Sequence, residues 1–322
     1  MGVKEVLSVE EMKRLTRRSD GAGAWAILST WGVIAFTLAA LARWPHPLSF
    51  ALAVVILGGR QLALAILMHE AAHRTLFERR AWNEHLADWL CARPIWNDVH
   101  RYREHHLRHH AHTGTDRDPD LALVEPFPTT RRALGRKLAR DLVGLSGLKR
   151  IFGTLLMDFE VIGYTVSPAV KRLPQNGRRG IDYLRAGVRN LAGVVVTNLA
   201  LAALLAWSGH GWVYGAWVVA YLTTFSLFVR IRSLAEHACT ERSADPLRNT
   251  RTTRASLLAR MTVAPLRVNY HLEHHLLVAV PWFRLPEMHR MLRARGAIAP
   301  ATPGYGAVIR QVSAAAESPP PV

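Results

Sequence analysis

Four long apolar segments, separated by polar stretches, dominate the pattern of hydrophobic and polar residues along the chain. They cover about residues 24–42, 48–68, 187–207 and 211–229. Each is long enough to cross the hydrocarbon layer of a membrane, where a helix satisfies its own backbone hydrogen bonds. Short turns join the first segment to the second and the third to the fourth. The pattern therefore predicts an all-α membrane protein built on a bundle of four transmembrane helices.

The polar stretches outside these segments divide the chain further. Residues 1–23 form an N-terminal segment, residues 24–295 a single membrane domain and residues 296–322 a C-terminal tail, whose proline-rich end is expected to be disordered. Apolar residues at helical spacing over 134–164 predict one amphipathic helix at the membrane interface. Arg60 interrupts the second apolar segment, where it either faces a polar interior or extends to the membrane surface.

The charge of the chain indicates its orientation and argues against one class of partner. The formal net charge is +17, and most lysines and arginines lie before the first apolar segment, between the second and third, and after the fourth. The positive-inside rule places these stretches, and with them both termini, in the cytoplasm. Arginine greatly outnumbers lysine, as in GC-rich bacterial genomes, so the expected location is the bacterial inner membrane. Basic flanks of apolar segments without a nucleic-acid motif do not predict nucleic-acid binding.

Histidines recur in three clusters, or boxes, next to the apolar segments. Box 1 has the spacing HxxxH, and boxes 2 and 3 both have the spacing HxxHH. Because residues three and four apart share one face of a helix, the imidazoles of a box can converge on one point. The box histidines are His69 and His73 in box 1, His106, His109 and His110 in box 2, and His271, His274 and His275 in box 3.

The boxes predict a metal centre, because imidazole is the commonest metal ligand in proteins. His237, just after the fourth apolar segment, is expected at the same depth as a ninth ligand. One zinc site uses three or four ligands, so this number suits two metal ions of higher coordination number, with iron favoured. The two cysteines, Cys91 and Cys239, form no CxxC motif, so nitrogen and oxygen must hold the metal. The expected architecture is a membrane four-helix bundle with a cytoplasmic helical cap that holds a histidine-rich two-metal site.

The boxes, which read HEAAH, HLRHH and HLEHH around two pairs of apolar segments, resemble those of the membrane fatty acid desaturase family. The motifs TDRDPD after box 2 and VPWFRLPEMH after box 3 add to this resemblance, which covers about residues 24–292. The resemblance implies two iron ions, O2 as a co-substrate and desaturation of a fatty acyl chain in a lipid, or of a free or carrier-bound fatty acid. The HxxxH spacing is similar to that of the acyl-lipid branch, and Ser233 stands where acyl-CoA members carry an asparagine. The HPGG motif of a fused cytochrome b5 is missing, which implies a separate donor of the ferredoxin or cytochrome b5 type.

The resemblance also implies which residues bind the metal. His105 and His112 flank box 2 but point away from its ligand face, so they are not expected to be ligands. Three further histidines, His85, His100 and His289, are expected to be ordinary surface or interfacial residues. The implied iron ligands are His69, His73, His106, His109, His110, His237, His271, His274 and His275.

Carboxylates near the boxes are candidates for orienting these ligands. Asp116, Asp118 and Asp120, in the TDRDPD motif, are candidates to hydrogen-bond the outer nitrogen of a ligating histidine, and Asp120 is the first to test. Glu70 in box 1 and Glu273 in box 3 are candidates for the same role. Alternatively, the aspartates of TDRDPD only cap a turn.

Other interpretations of the boxes stay open at this point. HEAAH also matches the HExxH motif of an intramembrane zinc protease with Glu70 as the base, although boxes 2 and 3 would then have no purpose. A metal transporter or store would need ligands along a path at mid-membrane depth. A lipid hydroxylase, or a carotenoid hydroxylase or ketolase, would use the same ligands with a different substrate pocket.

Overall fold

Helices make up the regular structure of residues 3–314, the part of the chain that this computed structural model describes. No strand forms among these residues, which have only three isolated β-bridges. Two π-helical turns, Trp82–Leu86 and Asp88–Ala92, lie between box 1 and box 2. The α-helices are α1 Val3–Val6, α2 Val9–Leu15, α3 Asp20–Arg43, α4 Pro47–Ala72, α5 Val99–His112, α6 Leu121–Val124, α7 Arg131–Leu142, α8 Leu145–Asp158, α9 Gly180–Trp207, α10 Tyr214–Leu222, α11 Thr224–His237, α12 Pro246–Asn249, α13 Leu257–Met261, α14 His271–Leu276, α15 Leu285–Ala294 and α16 Tyr305–Val312.

Four helical stretches are long and apolar enough to cross a membrane, which confirms the predicted all-α fold with four candidate spans. Each contains one of the predicted apolar segments, and all four extend further at the end that lies towards the boxes. The stretches are Val9–Arg43, Pro47–Ala72, Gly180–Trp207 and Gly211–His237. Helices α4 and α11 continue beyond their apolar segments because other parts of the protein cover their ends, where polar residues such as Glu70 and Glu236 are buried.

Helix α4 forms the centre of the bundle and packs against α3, α10 and α11. Its side chains Leu57, Leu62 and Leu67 are fully buried. In a membrane, helices associate through close packing, for which small residues at the interface are favourable. A Cβ atom on Gly58 would lie 2.1 Å from Thr224 Oγ1 on α11, so only glycine permits this approach. The position of box 1 at the end of α4 is therefore fixed by the best-packed helix of the protein.

The fourth predicted span is not one helix but two, α10 and α11, which meet at Thr223. Arg150 of α8 donates to the Tyr221 carbonyl at 2.6 Å and to Ser226 Oγ at 3.0 Å, so the break does not leave these polar groups without a partner. α11 then continues to His237, eight residues beyond the predicted end at residue 229. An ion pair between Arg232 and Glu236, at 2.7 Å, allows these charged residues to be covered by the protein.

The segment 134–164 also differs from its prediction. It forms two helices, α7 and α8, rather than one amphipathic helix. Gly144 separates them with a φ of 84°, a conformation that glycine adopts without strain. Gly147 then brings the start of α8 against the backbone of Leu222, because no side chain would fit between them. Helical spacing continues across this corner, so the sequence pattern alone does not reveal it.

Both ends of the described chain pack against the box region. Leu7 and Leu15 of the N-terminal segment are buried in a cluster with Leu272 of box 3. In the segment predicted as a C-terminal tail, α16 buries Val308 and Val312 in a cluster that also contains Leu234 and Ala235 of α11. The predicted disorder at 318–321 lies outside the described residues.

Arg60, which interrupts the second apolar segment, has a backbone carbonyl as its partner. Its side chain is half-buried, and Nη2 donates to the Met261 carbonyl at 2.9 Å. The neighbouring Gly59 lets this carbonyl approach, because a Cβ atom there would lie 2.2 Å from the Met261 oxygen. Arg60 therefore links α4 to the segment that leads into box 3.

Candidate metal centre

The three boxes lie on three helices, α4, α5 and α14, and His237 lies at the end of a fourth. His69 is in the last turn of α4, and His73 is its C-cap residue. Box 2 lies on α5, whose start is capped by Asp98 through hydrogen bonds from the backbone N–H groups of His100 and Arg101 at 2.8 and 2.9 Å. Box 3 forms the short helix α14, and His237 is the last residue of α11.

The structure brings all nine predicted ligand residues together in two groups. Within each group, one ligand atom of every histidine lies within 4.8 Å of the others. The two groups are neighbours, since the ring centroids of His110 and His275 are 4.2 Å apart. The five-histidine group contains His69, His73, His106, His110 and His274, and the four-histidine group contains His109, His237, His271 and His275.

In the five-histidine group, the Nε2 atom of His110 lies 3.0 Å from Nε2 of both His106 and His274. An imidazole nitrogen has a single in-plane position, which holds either a proton or a lone pair. His110 Nε2 therefore cannot form good hydrogen bonds with both neighbours at once. Both nitrogens of His69 and Nε2 of His73 are buried without a hydrogen-bond partner among the described residues.

The four-histidine group repeats this arrangement around His271. Its Nε2 atom lies 2.8 Å from Nε2 of His237 and 3.0 Å from Nε2 of His275. Two nitrogens that are each about 2.1 Å from one metal ion, at right angles to each other, lie about 3.0 Å apart. Within each group, these nitrogens are therefore spaced as ligands of one ion. A metal ion in each group would provide a partner for the nitrogens that hydrogen bonds cannot satisfy.

The electrostatics of these sites also suit metal binding, which needs neutral imidazole. Burial lowers the pKa of His73 to about 3. His109 is the exception: burial alone would lower its pKa, but the hydrogen bond and negative charge of Asp118 raise it. Burial, with the neighbouring histidines, also lowers the pKa well below its usual value for His106, His110, His271, His274 and His275.

The four-histidine group has polar partners on the outer nitrogens of its members. Asp118 Oδ1 lies 2.8 Å from His109 Nδ1, and the Asn249 carbonyl accepts from His237 Nδ1 at 3.1 Å. Glu236 Oε1 is 3.4 Å from His271 Nδ1, but this nitrogen has no hydrogen-bond partner among the described residues. Such partners orient metal-bound imidazoles and raise their basicity.

Comparison with known proteins assigns the chain to a family. The sequence model described as "Fatty acid desaturase" matches residues 44–307, which include all nine histidines and most of the chain. The chain belongs to the fatty acid desaturase family. The resemblance that the boxes indicate is thus confirmed.

Two relatives within this family are similar over most of the chain. Dihydrorhizobitoxine desaturase from Bradyrhizobium elkanii is 29% identical over 280 residues, which cover 84% of this chain and 74% of the relative. Beta-carotene ketolase from Paracoccus sp. (strain PC1) is 28% identical over 272 residues, which cover 82% of this chain and 90% of the relative. Membership of the desaturase family, together with the desaturase relative, makes this protein an oxidoreductase.

In the TDRDPD motif after box 2, Asp118 rather than Asp120 directly contacts His109, a member of the four-histidine group. Asp120 Oδ1 lies 2.8 Å from Nε2 of His105, and Asp120 Oδ2 is 3.8 Å from His109 Nδ1. His105 belongs to neither group, as its position off the ligand face predicts, but it is buried. The third aspartate of the motif, Asp116, is exposed and pairs with Arg242 at 2.7 Å.

The two glutamates inside the boxes make their hydrogen bonds to groups other than the grouped imidazoles. Glu70 Oε2 accepts from Thr75 Oγ1 at 2.8 Å and from the Trp282 backbone N–H at 3.0 Å, whereas Oε1 is 3.5 Å from His69 Nδ1. Glu273 hydrogen-bonds Thr252 and His289, each at 2.5 Å. His289 therefore stabilises box 3, whereas the sequence predicts a surface or interfacial residue. The VPWFRLPEMH motif after box 3, which ends in His289, is the sequence feature that could have indicated this role.

A small cleft opens beside the five-histidine group. Two of its walls are apolar and come from different parts of the chain, with Ile66 on α4 and Leu266 and Val268 just before box 3. The residues that line it are Ile66, His69, Glu70, Leu266, Val268, His271, His274 and Leu285. A hydrocarbon group in this cleft would lie directly against histidines of both groups.

Proposed function

We propose that the protein is a membrane di-iron desaturase that uses O2 to introduce a double bond into a fatty acyl chain. The observation that supports this proposal most strongly is the pair of adjacent histidine groups, in which Nε2 atoms face one another at 2.8–3.0 Å. The electrons come from a separate donor of the ferredoxin or cytochrome b5 type. The substrate is an acyl lipid or a free or carrier-bound fatty acid.

The ligand set favours two irons over zinc. Groups of five and four imidazoles exceed the three protein ligands of a catalytic zinc, and nitrogen-rich sites with an open position suit iron that reacts with O2. When bound, the two irons would supply the oxidising power to remove hydrogen from an unactivated methylene.

The protein's own contribution is to hold the ligands, to bind the acyl chain and to exclude water. Asp118 and the Asn249 carbonyl fix which nitrogen of His109 and His237 is free for the metal. The side chains of His69, His271 and His274 are buried, so bulk water is kept from the reacting position. Ile66, Leu266 and Val268 place apolar side chains beside these histidines, as the binding of a methylene chain requires.

The orientation of the protein follows from the distribution of charge. The boxes lie at the ends of α4 and α11 that adjoin the long basic stretches of the chain, so we place the boxes, the basic stretches and both termini in the cytoplasm. The membrane that fits this arrangement is the inner membrane of a bacterium.

A hydroxylase or ketolase is the second candidate. The beta-carotene ketolase is as similar to this chain as the desaturase relative is, with identities of 28% and 29%. The same ligands and the same first hydrogen removal would serve either outcome, so only the product separates them. By contrast, a zinc protease has less support, because Glu70 is engaged with Thr75 and Trp282 and boxes 2 and 3 complete the same groups as box 1.

The fatty-acid profile of a host that expresses the protein tests the proposal. Gas chromatography with mass spectrometry compares the wild type with His274→Ala, and with His85→Ala as a control at an exposed histidine outside both groups. We expect a new unsaturated acyl species that disappears only in His274→Ala. A new hydroxylated or oxo species with the same dependence would assign the protein to the second candidate, and a purified wild type without iron would refute both.

A further inference from the structure

Box 1 lies at the C-terminal end of a helix, where backbone carbonyl groups need partners from outside the helix. α4 ends at Ala72, so His69 is in its last turn and His73 is already the C-cap residue. The last four carbonyl groups of an α-helix have no partner within the helix, and terminal turns fray unless other groups bind these carbonyls. The turn after α4 binds the Glu70 and Ala71 carbonyls through the N–H groups of Thr75 and Arg74, and it leaves the Ala72 carbonyl for another part of the chain.

Arg103 of α5 binds the end of α4 directly. Its Nε donates to the Ala72 carbonyl at 2.8 Å, and its Nη2 donates to the Ala71 carbonyl at 3.0 Å. Arg103 comes three residues before His106, so it lies on the helix that carries box 2. One guanidinium thus joins the end of the box 1 helix to the box 2 helix, and its positive charge is favourable at a helix C-terminus.

Glu84, from the first π-helical turn, holds Arg103 in this position. Its Oε2 accepts from Arg103 Nη1 at 2.6 Å, and its Oε1 accepts from Arg74 Nε at 2.9 Å. Arg74 directly follows His73, so Glu84 binds one arginine next to box 1 and another on the helix that carries box 2. The side chains of Arg103 and Glu84 are only 13% and 12% exposed, which makes this pair stronger than an ordinary surface ion pair.

We propose that Arg103, oriented by Glu84, is a positioning residue that fixes box 1 against box 2 and thereby assembles the five-histidine group. Four of the five histidines of this group come from those two boxes, whereas the four-histidine group takes none from α4. The inference rests on the proposed metal-binding function. Lysine cannot replace Arg103, because a single ammonium lacks the planar fork that reaches two carbonyls and a carboxylate together.

The experiment measures iron in purified, detergent-solubilised full-length protein during titration with a chelator. The variants are Arg103→Gln, Arg103→Lys and Glu84→Gln, with Arg108→Gln as the matched control, since Arg108 lies on the same helix but is exposed. Groups that orient metal ligands contribute about 10–100-fold to metal affinity. We expect one of the two irons to be lost at about 10–100-fold less chelator in Arg103→Gln, the other to be retained as in the wild type, and Arg108→Gln to be unchanged.

The outcomes separate this inference from the proposed function. A wild type that binds no iron refutes the proposed function, whatever the variants do. If the wild type binds two irons and the Arg103 and Glu84 variants release both as the wild type does, the positioning role of Arg103 is refuted and the proposed function is not. Equal weakening of both irons in the variants refutes that positioning role as well. If Arg103→Gln gives no monodisperse protein on size exclusion, Arg103→Lys and Glu84→Gln decide by the same titration.

Discussion

The two histidine groups use the same ligand type but orient it differently. In the four-histidine group, His109 is held by Asp118 at 2.8 Å and His237 by the Asn249 carbonyl at 3.1 Å. In the five-histidine group, both nitrogens of His69 and Nδ1 of His274 are buried without a hydrogen-bond partner among residues 3–314. Hydrogen bonds therefore orient two imidazoles of the four-histidine group, whereas His69 and His274 of the five-histidine group are oriented by the helices that carry them.

This difference indicates where each group is vulnerable. A hydrogen bond to the outer nitrogen fixes the tautomer and the angle of an imidazole, even on a helix end that moves slightly. Without it, the ligand is only as well placed as its backbone, which for His69 means the packing of α4 and the contacts of Arg103. We expect the five-histidine group to respond to changes in helix position, and the four-histidine group to changes in the partners of its imidazoles.

Loss of one ligand from each group is the largest change that tests this comparison. His274→Ala and His275→Ala remove adjacent residues of α14 that belong to different groups. Each variant should lose about one of the two metal ions. Its turnover should fall by more than about 100-fold, which is the largest effect expected from loss of a group that only orients a ligand. Metal analysis and product formation measure the two effects. If both variants lost the same ion, as judged by Mössbauer spectra of the retained iron, the division into two groups would be wrong.

Removal of the metal should expose the same difference in stability. Metal at about 1,000 times its Kd stabilises the folded protein by about 4 kcal/mol, so chelation should lower Tm by roughly 10 °C. The imidazoles of the five-histidine group then retain few polar partners, so hydrogen exchange should increase more at the end of α4, around His69, than at the end of α11, around His237. Equal increases at both helix ends, measured by mass spectrometry, would contradict the comparison.

The sequence predicted the members of the two groups but not their division. Box spacing places imidazoles on one face of a helix, which is a local property that a sequence contains. Yet His109 and His110 are neighbours in the chain and belong to different groups, as do His274 and His275. Successive residues of a helix point in different directions, and only the arrangement of α4, α5, α11 and α14 decides which group each one joins.

Supporting residues were harder to predict because their partners are distant in sequence. TDRDPD correctly drew attention to the aspartates, but the choice of Asp118 over Asp120 depends on the turn that follows α5. The bonds from Arg103 to carbonyls 31 and 32 residues earlier have no sequence pattern, because any backbone carbonyl can accept. Helix ends were misplaced for a related reason: hydropathy shows where apolar residues stop, whereas α11 continues under the cover of the protein to His237.

A change to Asp118 tests the four-histidine group through its hydrogen bonds. Asp118→Asn removes the charge that His109 faces at 2.8 Å, and should weaken one metal site about 10–100-fold. Asp120→Asn should have a smaller effect, because its closest contact is His105, outside both groups. Asp116→Asn is the control, since this aspartate is exposed on the same turn. Chelator titration ranks the three variants, and a larger effect for Asp120→Asn than for Asp118→Asn would reverse the assignment.

The smallest expected effect comes from Glu70→Gln, which separates the proposed oxidation from proteolysis. Glu70 joins the end of α4 to the segment after box 3 through Thr75 and the Trp282 backbone N–H. Glutamine keeps an acceptor oxygen of the same size, so the variant loses only the charge of these hydrogen bonds, and activity should fall by roughly tenfold or less with both metal ions retained. In a zinc protease this residue would be the general base, and the same substitution would remove nearly all turnover without removing metal. Product formation and metal content, measured on one preparation, distinguish the two cases, because a modest loss of turnover with both ions retained fits oxidation and a nearly complete loss fits proteolysis.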